Sequence, residues 1–288
     1  MIVITGGNGE FGRLVAGHLL DHLPAGKVTV TVREPRKAGP LKDRGADVRH
    51  ADFDEPATLV RAFKDADTVL INGTNYGTAP ARRAQQHAAA ITAAAESGAG
   101  RLVITTWQDL DHCPMPEVSD YPATETRARA ARTPVTIMRL TSDLAALVAR
   151  DVRWAVAAGT LTAPAGQARI TPAAVTDLAE ATANVLREAG HEGVTYELTG
   201  PDPVSWDDLA ALASSISDKN VRYQPVEDRE YREHVTALGV PEAVVGMLLD
   251  YYAAVRSGWA SSPASDLAQL LHRAPASTIE ALRQAAAA

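Results

Sequence analysis

The stretch Ile2-Val3-Ile4-Thr5-Gly6-Gly7-Asn8-Gly9-Glu10-Phe11-Gly12-Arg13-Leu14-Val15 is a buried-type strand that breaks into a glycine turn and opens a helix. Ile2, Val3 and Ile4 are β-branched and apolar, as a strand covered on both faces requires. Gly6, Gly9 and Gly12 recur at every third position, and Gly7, Gly9 and Gly12 also satisfy G-x-G-x-x-G. One glycine permits the tight turn, a second lets the main chain approach a diphosphate, and a third lets the helix pack close to the strand. The first helical amides, at Glu10, Phe11 and Gly12, then face the phosphates, and the helix macrodipole adds a modest favourable term. In strand–turn–helix context the pattern predicts a dinucleotide site.

Composition sets the outer bounds. The chain has 288 residues, 46% hydrophobic and 22% charged, an ordinary globular balance that argues against disorder. A net charge of −7 without long like-charge runs gives no support to a nucleic-acid partner. Cys113 is the single cysteine, so neither an intrachain disulfide nor a cysteine-based metal site is expected. No apolar run approaches the length of a membrane-spanning helix, and the first strand leaves no room for a signal peptide. A cytoplasmic protein without a membrane partner is the expectation, with a homodimer as its assembly.

Strand and helix patterns alternate through the first half. Strands are predicted at Met1–Thr5, Lys27–Val32, Asp47–Ala51, Thr68–Ile71, Leu102–Thr105 and Val135–Leu140. Helices are predicted near Phe11–His22, Arg36–Arg44, Pro56–Lys64, Pro80–Ser97 and Ala123–Ala131. Such a chain folds as an α/β, Rossmann-type doubly wound parallel sheet, with ligands beyond the carboxyl ends of the strands. In the second half, helices are predicted at Ser142–Ala158, Pro172–Ala189 and Trp206–Ile216. Extended pieces fall at Arg169–Ile170, Val194–Leu198 and Val221–Gln224. The expected division is a nucleotide-binding core over 1–140 and, over 141–288, a mixed segment. That segment adds to the sheet edge and builds a small α+β substrate lobe, forming a cleft with the sheet.

The end of the second strand bears on the choice of nucleotide. A free ribose 2′-hydroxyl usually needs an acid there, and a 2′-phosphate calls for a cation. Arg33 stands first beyond the strand, Lys37 is close by, and Arg13 follows the third glycine; Glu34 is the one acid. Three cations against one acid favour NADPH, the bland alternative being an Arg33–Glu34 surface pair of little energetic value. Asp52 and Phe53 end the third strand, where an acid can accept from an adenine amino group, unless Asp52 caps the following helix. Asn72, Gly73 and Thr74 end the fourth strand, where small residues let the backbone pass near the second ribose.

The T-G-x-x-G-x-x-G turn (Thr5 to Gly12), V-R-x-P-x-K (Val32 to Lys37) and A-D-F-D (Ala51 to Asp54) resemble the NmrA-like branch of the atypical short-chain dehydrogenases/reductases, most closely its bacterial NADPH-dependent quinone reductases. Val135–Arg139, Thr176–Ala179 and Gly190–Gly200 extend the resemblance over nearly the whole chain. It implies a Rossmann fold, NADPH (NADP), and a substrate pocket roofed by the C-terminal lobe. It carries Gly6, Gly9, Gly12 and Arg33 over as cofactor contacts, and places Thr105, Thr106 and Trp107 after the fifth strand, beside the nicotinamide. The branch holds reductases of quinones and carbonyls and also redox-sensing regulators that do not turn the dinucleotide over.

Most short-chain reductases use a Ser or Thr with Tyr-x-x-x-Lys. Here Glu125 stands four residues beyond Tyr121, and a carboxylate there would raise a phenol's pKa. Counting back from Arg139, Tyr121 falls in the lysine slot and Glu117 in the tyrosine slot, so the usual dyad is absent. A quinone can accept hydride without that tyrosine, because its developing phenolate is stabilised by one or two donors. Thr106 and Tyr121 are the candidate catalytic donors, with loop-to-helix packing as the alternative role of Tyr121. Trp107, His112 and Tyr76 are candidates for the substrate pocket, Trp107 by stacking and His112 by proton relay. Asp109, Asp111, His112 and Cys113 lack second ligands at helical spacing, and no metal is expected. Tyr251, Tyr252 and Trp259 read either as a lid or as helix core. The expected activity is an NADPH-dependent reduction of a quinone or quinone-like aromatic ketone. The alternatives are a ketoreductase of aromatic polyketides and a non-catalytic dinucleotide sensor.

Overall fold

The computed structural model describes residues 1–74, 77–263 and 265–287. The first half runs β1 (Ile2–Thr5), α1 (Glu10–His22), β2 (Val28–Val32), α2 (Gly39–Asp43), β3 (Asp47–His50), α3 (Pro56–Ala62), β4 (Thr68–Ile71), α4 (Pro80–Glu96), β5 (Arg101–Trp107), α5 (Tyr121–Ala130) and β6 (Val135–Leu140). There follow α6 (Ser142–Ala158), β7 (Thr160–Ala163), β8 (Arg169–Ile170), α7 (Val175–Arg187), β9 (Thr195–Leu198), β10 (Val204–Ser205) and α8 (Trp206–Ser217). The chain then runs through β11 (Arg222–Pro225), α9 (Asp228–Ala237), α10 (Glu242–Arg256), α11 (Leu267–Leu271) and α12 (Thr278–Ala287).

Among the described residues, seven strands form one sheet in the order β3-β2-β1-β4-β5-β6-β9. Every pairing in it is parallel. Parallel strands need crossovers, which put helices on both faces and bury the strands; β1, β2, β4, β5 and β6 are buried along their whole length. The order reverses between β1 and β4, so a crevice opens beyond their carboxyl ends. The second half contributes β9 to the sheet edge, where Met138 pairs Tyr196 and Leu140 pairs Leu198.

Several boundaries depart from the sequence-based expectation for identifiable reasons. The helix expected over Arg36–Arg44 is a 3₁₀ turn (Pro35–Ala38) followed by the short α2, because Gly39-Pro40 restarts it. The helix expected from Pro172 begins only at Val175: the Thr171 carbonyl accepts from Gly200 N at 2.7 Å, and the residue before a proline avoids helical backbone. Strand β7 was not predicted; it pairs in parallel with β11, a distant contact that a single segment does not advertise. Strand β5 runs on through Thr106 and Trp107, so these two residues end the strand rather than follow it. Helix α5 starts at Tyr121 instead of Ala123, with Pro122 in its first turn, where a missing N–H costs nothing.

The loop from Gln108 to Asp120 is built into the core. Leu110, Met115 and Val118 are buried in a cluster with Trp107, Tyr121, Leu144, Trp206 and Tyr252. At roughly 1.5–3 kcal/mol for each large apolar side chain buried, this anchors the loop to the C-terminal half. Tyr251, Tyr252 and Trp259 lie in the same cluster, each 2% exposed or less, and are core rather than lid.

Candidate active site

A cleft of about 1070 Å³ runs along the carboxyl ends of the sheet strands. Its floor at one end is the turn after β1. Gly6 has φ +71, a left-handed conformation that glycine adopts without strain. A Cβ on Gly12 would stand 2.4 Å from the Gly6 carbonyl oxygen, so only glycine lets α1 sit against the turn. On Gly7 it would lie 2.8 Å from the Val30 Cβ; Gly7 serves the packing against β2 and does not line the cleft. Gly9 differs from both. Its backbone is extended (φ −75, ψ 159) and its nearest neighbour would be 3.4 Å away, so its bareness keeps the cleft floor open. Gly9 caps α1 without a side-chain hydrogen bond, which leaves the first-turn amides at Glu10, Phe11 and Gly12 for another acceptor.

The strand ends are laced together sideways. The Asn72 amide N donates to Thr5 Oγ1 at 2.8 Å, while Thr5 Oγ1 also lies 3.2 Å from the Asn72 carbonyl. Gly73 N donates to Thr105 Oγ1 at 3.1 Å, and that hydroxyl donates to Asn72 Oδ1 at 3.3 Å. Asn72, Gly73, Thr74 and Thr105 therefore form one wall, held by three adjacent strands. Asn8 Oδ1, Thr74 Oγ1 and Gln86 Oε1 also belong to this cleft; each is buried and lacks a hydrogen-bond partner among the described residues. Orphaned polar atoms around a long open cleft fit a polar ligand the size of a dinucleotide.

At the β2 and β3 ends, Arg33, Lys37, Asp52 and Phe53 line the cleft, while Arg13 does not. Glu34 pairs with Lys37 at 2.8 Å rather than with Arg33. Asp52 Oδ1 accepts from Asp54 N at 3.0 Å, closing a local turn; the cap position of α3 is Glu55, so Asp52 does not cap that helix. Asp54 binds Arg82 and Gln86 of α4, and the Arg82 hydrogen bond chiefly holds its carboxyl below the usual range. This acid–base bridge across the cleft edge had no sequence signal, because its partners lie 28 positions apart.

The far end is aromatic. Trp107 is buried and stacks on Trp259, with centroids 6.3 Å apart and planes 13° apart. Tyr121 lines the same end, and the Arg83 guanidinium sits 4.7 Å above its ring. The roof comes from the second half: Ala145, Arg153, Thr176 and Gln284 face the cleft from α6, α7 and α12. Thr106 lines the cleft, but its hydroxyl donates to Glu125 Oε1 at 2.8 Å. A hydroxyl has one proton, so Thr106 has none to pass to a substrate and acts by position. His112 is turned away: it is exposed, pairs with Asp109 at 2.7 Å and does not line the cleft, so the relay role expected for it is not served. Tyr76 lies outside the described residues.

Behind Thr106 stands a buried ion cluster. Arg139 Nε and Nη2 each bind Glu125 at 2.9 Å, while Nη1 binds Glu197 at 2.9 Å and Asp111 at 3.1 Å. Burial works to raise Glu125, but the hydrogen bonds from Arg139 and Thr106 outweigh it and hold the carboxyl below its usual range. Glu197 moves the other way, raised by burial despite the same arginine, because Glu125 takes the two-pronged contact. The cluster ties β5, β6, β9 and α5 together under the aromatic end of the cleft. Among Asp109, Asp111, His112 and Cys113, Asp109 is spent on His112 and Asp111 on Arg139.

The chain's relatives agree with this geometry. Residues 6–134 match a family described as NAD(P)H-binding. Quinone oxidoreductase 2 of Escherichia coli is 30% identical over 276 residues, covering 94% of this chain and 93% of that protein. Its crystal structure with NADPH superposes with a TM-score of 0.91 at 28% identity over 99% of both chains. The triphenylmethane reductase of Citrobacter sp., solved with NADP(H), gives a TM-score of 0.92 at 31% identity over 99% of this chain and 100% of that one. The chain belongs to the NmrA-like branch of the NAD(P)H-binding oxidoreductases, in the family of quinone oxidoreductase 2.

Proposed function

We propose that this chain is an NADPH-dependent reductase that transfers hydride to a quinone or a quinone-like aromatic ketone. The observation that carries this is the continuity of the cleft. A dinucleotide laid from Gly9 and Arg33 along the strand ends would finish against Trp107 and Tyr121, where a planar acceptor can stack. The names of quinone oxidoreductase 2 and triphenylmethane reductase, both solved with the phosphorylated nucleotide, support the same direction.

When bound, NADPH supplies the hydride; the chain binds, orients and excludes water. In this assignment Gly6 and Gly9, with the amides of Glu10 and Phe11, hold the diphosphate, while Gly12, expected as a cofactor contact, does not line the cleft and lets α1 pack against the turn. Arg33 and Lys37 take the 2′-phosphate, Asp52 and Phe53 the adenine, and Asn72, Gly73, Thr74 and Thr105 the second ribose and the nicotinamide. Tyr121 contacts the acceptor and Thr106 fixes the strand end beneath it. Residues 1–140 carry the cofactor, and 141–288 roof the acceptor. We assign the protein to the cytoplasm, where a single unpaired cysteine is at home, as a homodimer.

The test combines calorimetry with NADPH and NADH and loss of reduced-nicotinamide absorbance in the presence of 1,4-naphthoquinone. Tighter binding of NADPH with quinone-dependent oxidation is expected. Tighter NADH binding overturns the cofactor assignment, and tight NADPH binding without turnover across a panel of quinones replaces the reductase with a sensor.

A further inference from the structure

A second cavity, about 120 Å³, opens off the aromatic end of the cleft and shares Thr74, Thr78, Trp107 and Tyr121 with it. Its volume is close to the roughly 150 Å³ that accommodates one benzene ring. The lining adds the apolar Met115, Val118 and Met247, the guanidinium of Arg83 and one carboxyl group, Glu117. Glu117 Oε2 is buried with no hydrogen-bond partner among the described residues. An ionised carboxylate accepts hydrogen bonds at both oxygens, so leaving Oε2 buried and unpartnered disfavours the ionised form, whereas a protonated carboxyl can turn its O–H toward an acceptor in the pocket.

We propose that Glu117 is the proton donor to the acceptor ring seated in this side pocket. The inference rests on the reductase reading above and deepens it. Hydride leaves the nicotinamide with its electron pair and reduces the acceptor; the Glu117 O–H bond breaks and its proton forms the new O–H bond on the reduced acceptor. Solvent then reprotonates Glu117. Per turnover, NADPH and one solvent proton are consumed, and the dihydroxy product and NADP are released.

The neighbours permit this. The nearby cation, Arg83, is committed elsewhere: Nε binds Asp120 Oδ2 at 3.0 Å, and Nη2 binds the other Asp120 oxygen and the Glu117 carbonyl rather than its side chain. Burial raises the Glu117 carboxyl above its usual range; a hydrogen bond from its own main-chain N–H works against this, Asp250 on α10 adds a further push, and Arg83 gives partial relief. Of the other titratable groups packed here, His87 on α4 is buried and stays neutral, pushed down to about 4 by desolvation. The Cys113 thiol is pushed up to about 11 by burial and is neutral as well. A substrate ring filling the pocket removes more water and drives Glu117 further toward its acid form.

The test compares Glu117→Gln and Glu117→Ala with the wild-type protein, using NADPH and 1,4-naphthoquinone. Both variants should bind NADPH as the wild type does, by calorimetry, which also checks folding. The kcat of Glu117→Gln should fall on the order of a hundredfold with KM little changed, and the alkaline decline of the wild-type kcat profile should vanish. Infrared difference spectra of wild type against Glu117→Gln, without nucleotide, should contain the carbonyl band of a protonated acid that bleaches as pH rises. A wild type that turns over while Glu117→Gln matches its kcat and pH profile overturns the assignment to Glu117 alone. A wild type that binds NADPH and reduces no quinone overturns the reductase reading, and the infrared band still reports separately whether Glu117 holds its proton.

Discussion

The two ends of the cleft are made of different material. The nucleotide end is main chain and short side chains, delivered by one glycine turn and by strand ends that lie side by side in the sheet. The aromatic end, which we assign to the acceptor, is side chains brought from far apart: Trp107 from β5, Glu117 and Tyr121 from the segment beyond it, Arg83 from α4 and Met247 from α10. A backbone-built site tolerates change poorly at a few positions and well at most others. A site built of side chains depends on the packing that holds them, here the Arg139 cluster and the buried loop.

That contrast can be broken at either end. The largest effect is expected from Gly9→Glu. Its extended backbone accepts a side chain, so the fold should survive, but a carboxylate would then stand on the cleft floor. Calorimetry should detect no NADPH binding while the thermal transition stays close to wild type. At the acceptor end, Glu125→Ala strips Arg139 of its two-pronged partner. Breaking a buried pair costs about 3–5 kcal/mol, or roughly a 10 °C fall in Tm. The Glu125 contribution is present above the ordinary carboxylate range and is lost as pH falls through its depressed folded pKa, so the wild type should approach the variant's stability in acid.

His87 sharpens the comparison, since it lies under Tyr121 with ring centroids 5.8 Å apart. Between its ordinary 6.5 and about 4, the unfolded chain takes up a proton that the folded chain refuses. Stability should therefore decline as pH falls across that window, by about 3 kcal/mol at most. Denaturant unfolding of His87→Gln should lose that slope. A smaller effect belongs to Arg33→Ala, which should weaken NADPH by about 1.5–3 kcal/mol and leave NADH nearly unchanged. Equal losses for both nucleotides would remove Arg33 from the 2′-phosphate.

How much was legible follows the same divide. The turn and the parallel alternation of strands and helices were readable because each is a local pattern: β-branched strands and glycines at fixed spacing; the strand order came only with the sheet. Even there, the chain alone did not separate Gly7 from Gly9, since only the neighbouring β2 makes one a packing glycine and leaves the other open. Glu117 showed in the sequence only as an unexpected residue in a tyrosine position. Its buried, unpartnered oxygen emerges when the loop folds into the C-terminal core. Thr106 and His112 were plausible donors until Glu125 claimed the hydroxyl of one and solvent the ring of the other.

What the sequence by itself determined is the parallel α/β sheet and its nucleotide-binding turn, because backbone geometry and hydrophobic periodicity act over a few residues. Tertiary structure alone decided which side chains meet at the aromatic end of the cleft, which carboxyls are pushed up or down and where β7 finds β11. Those outcomes depend on burial and on partners tens of residues away, and no short stretch of chain specifies either.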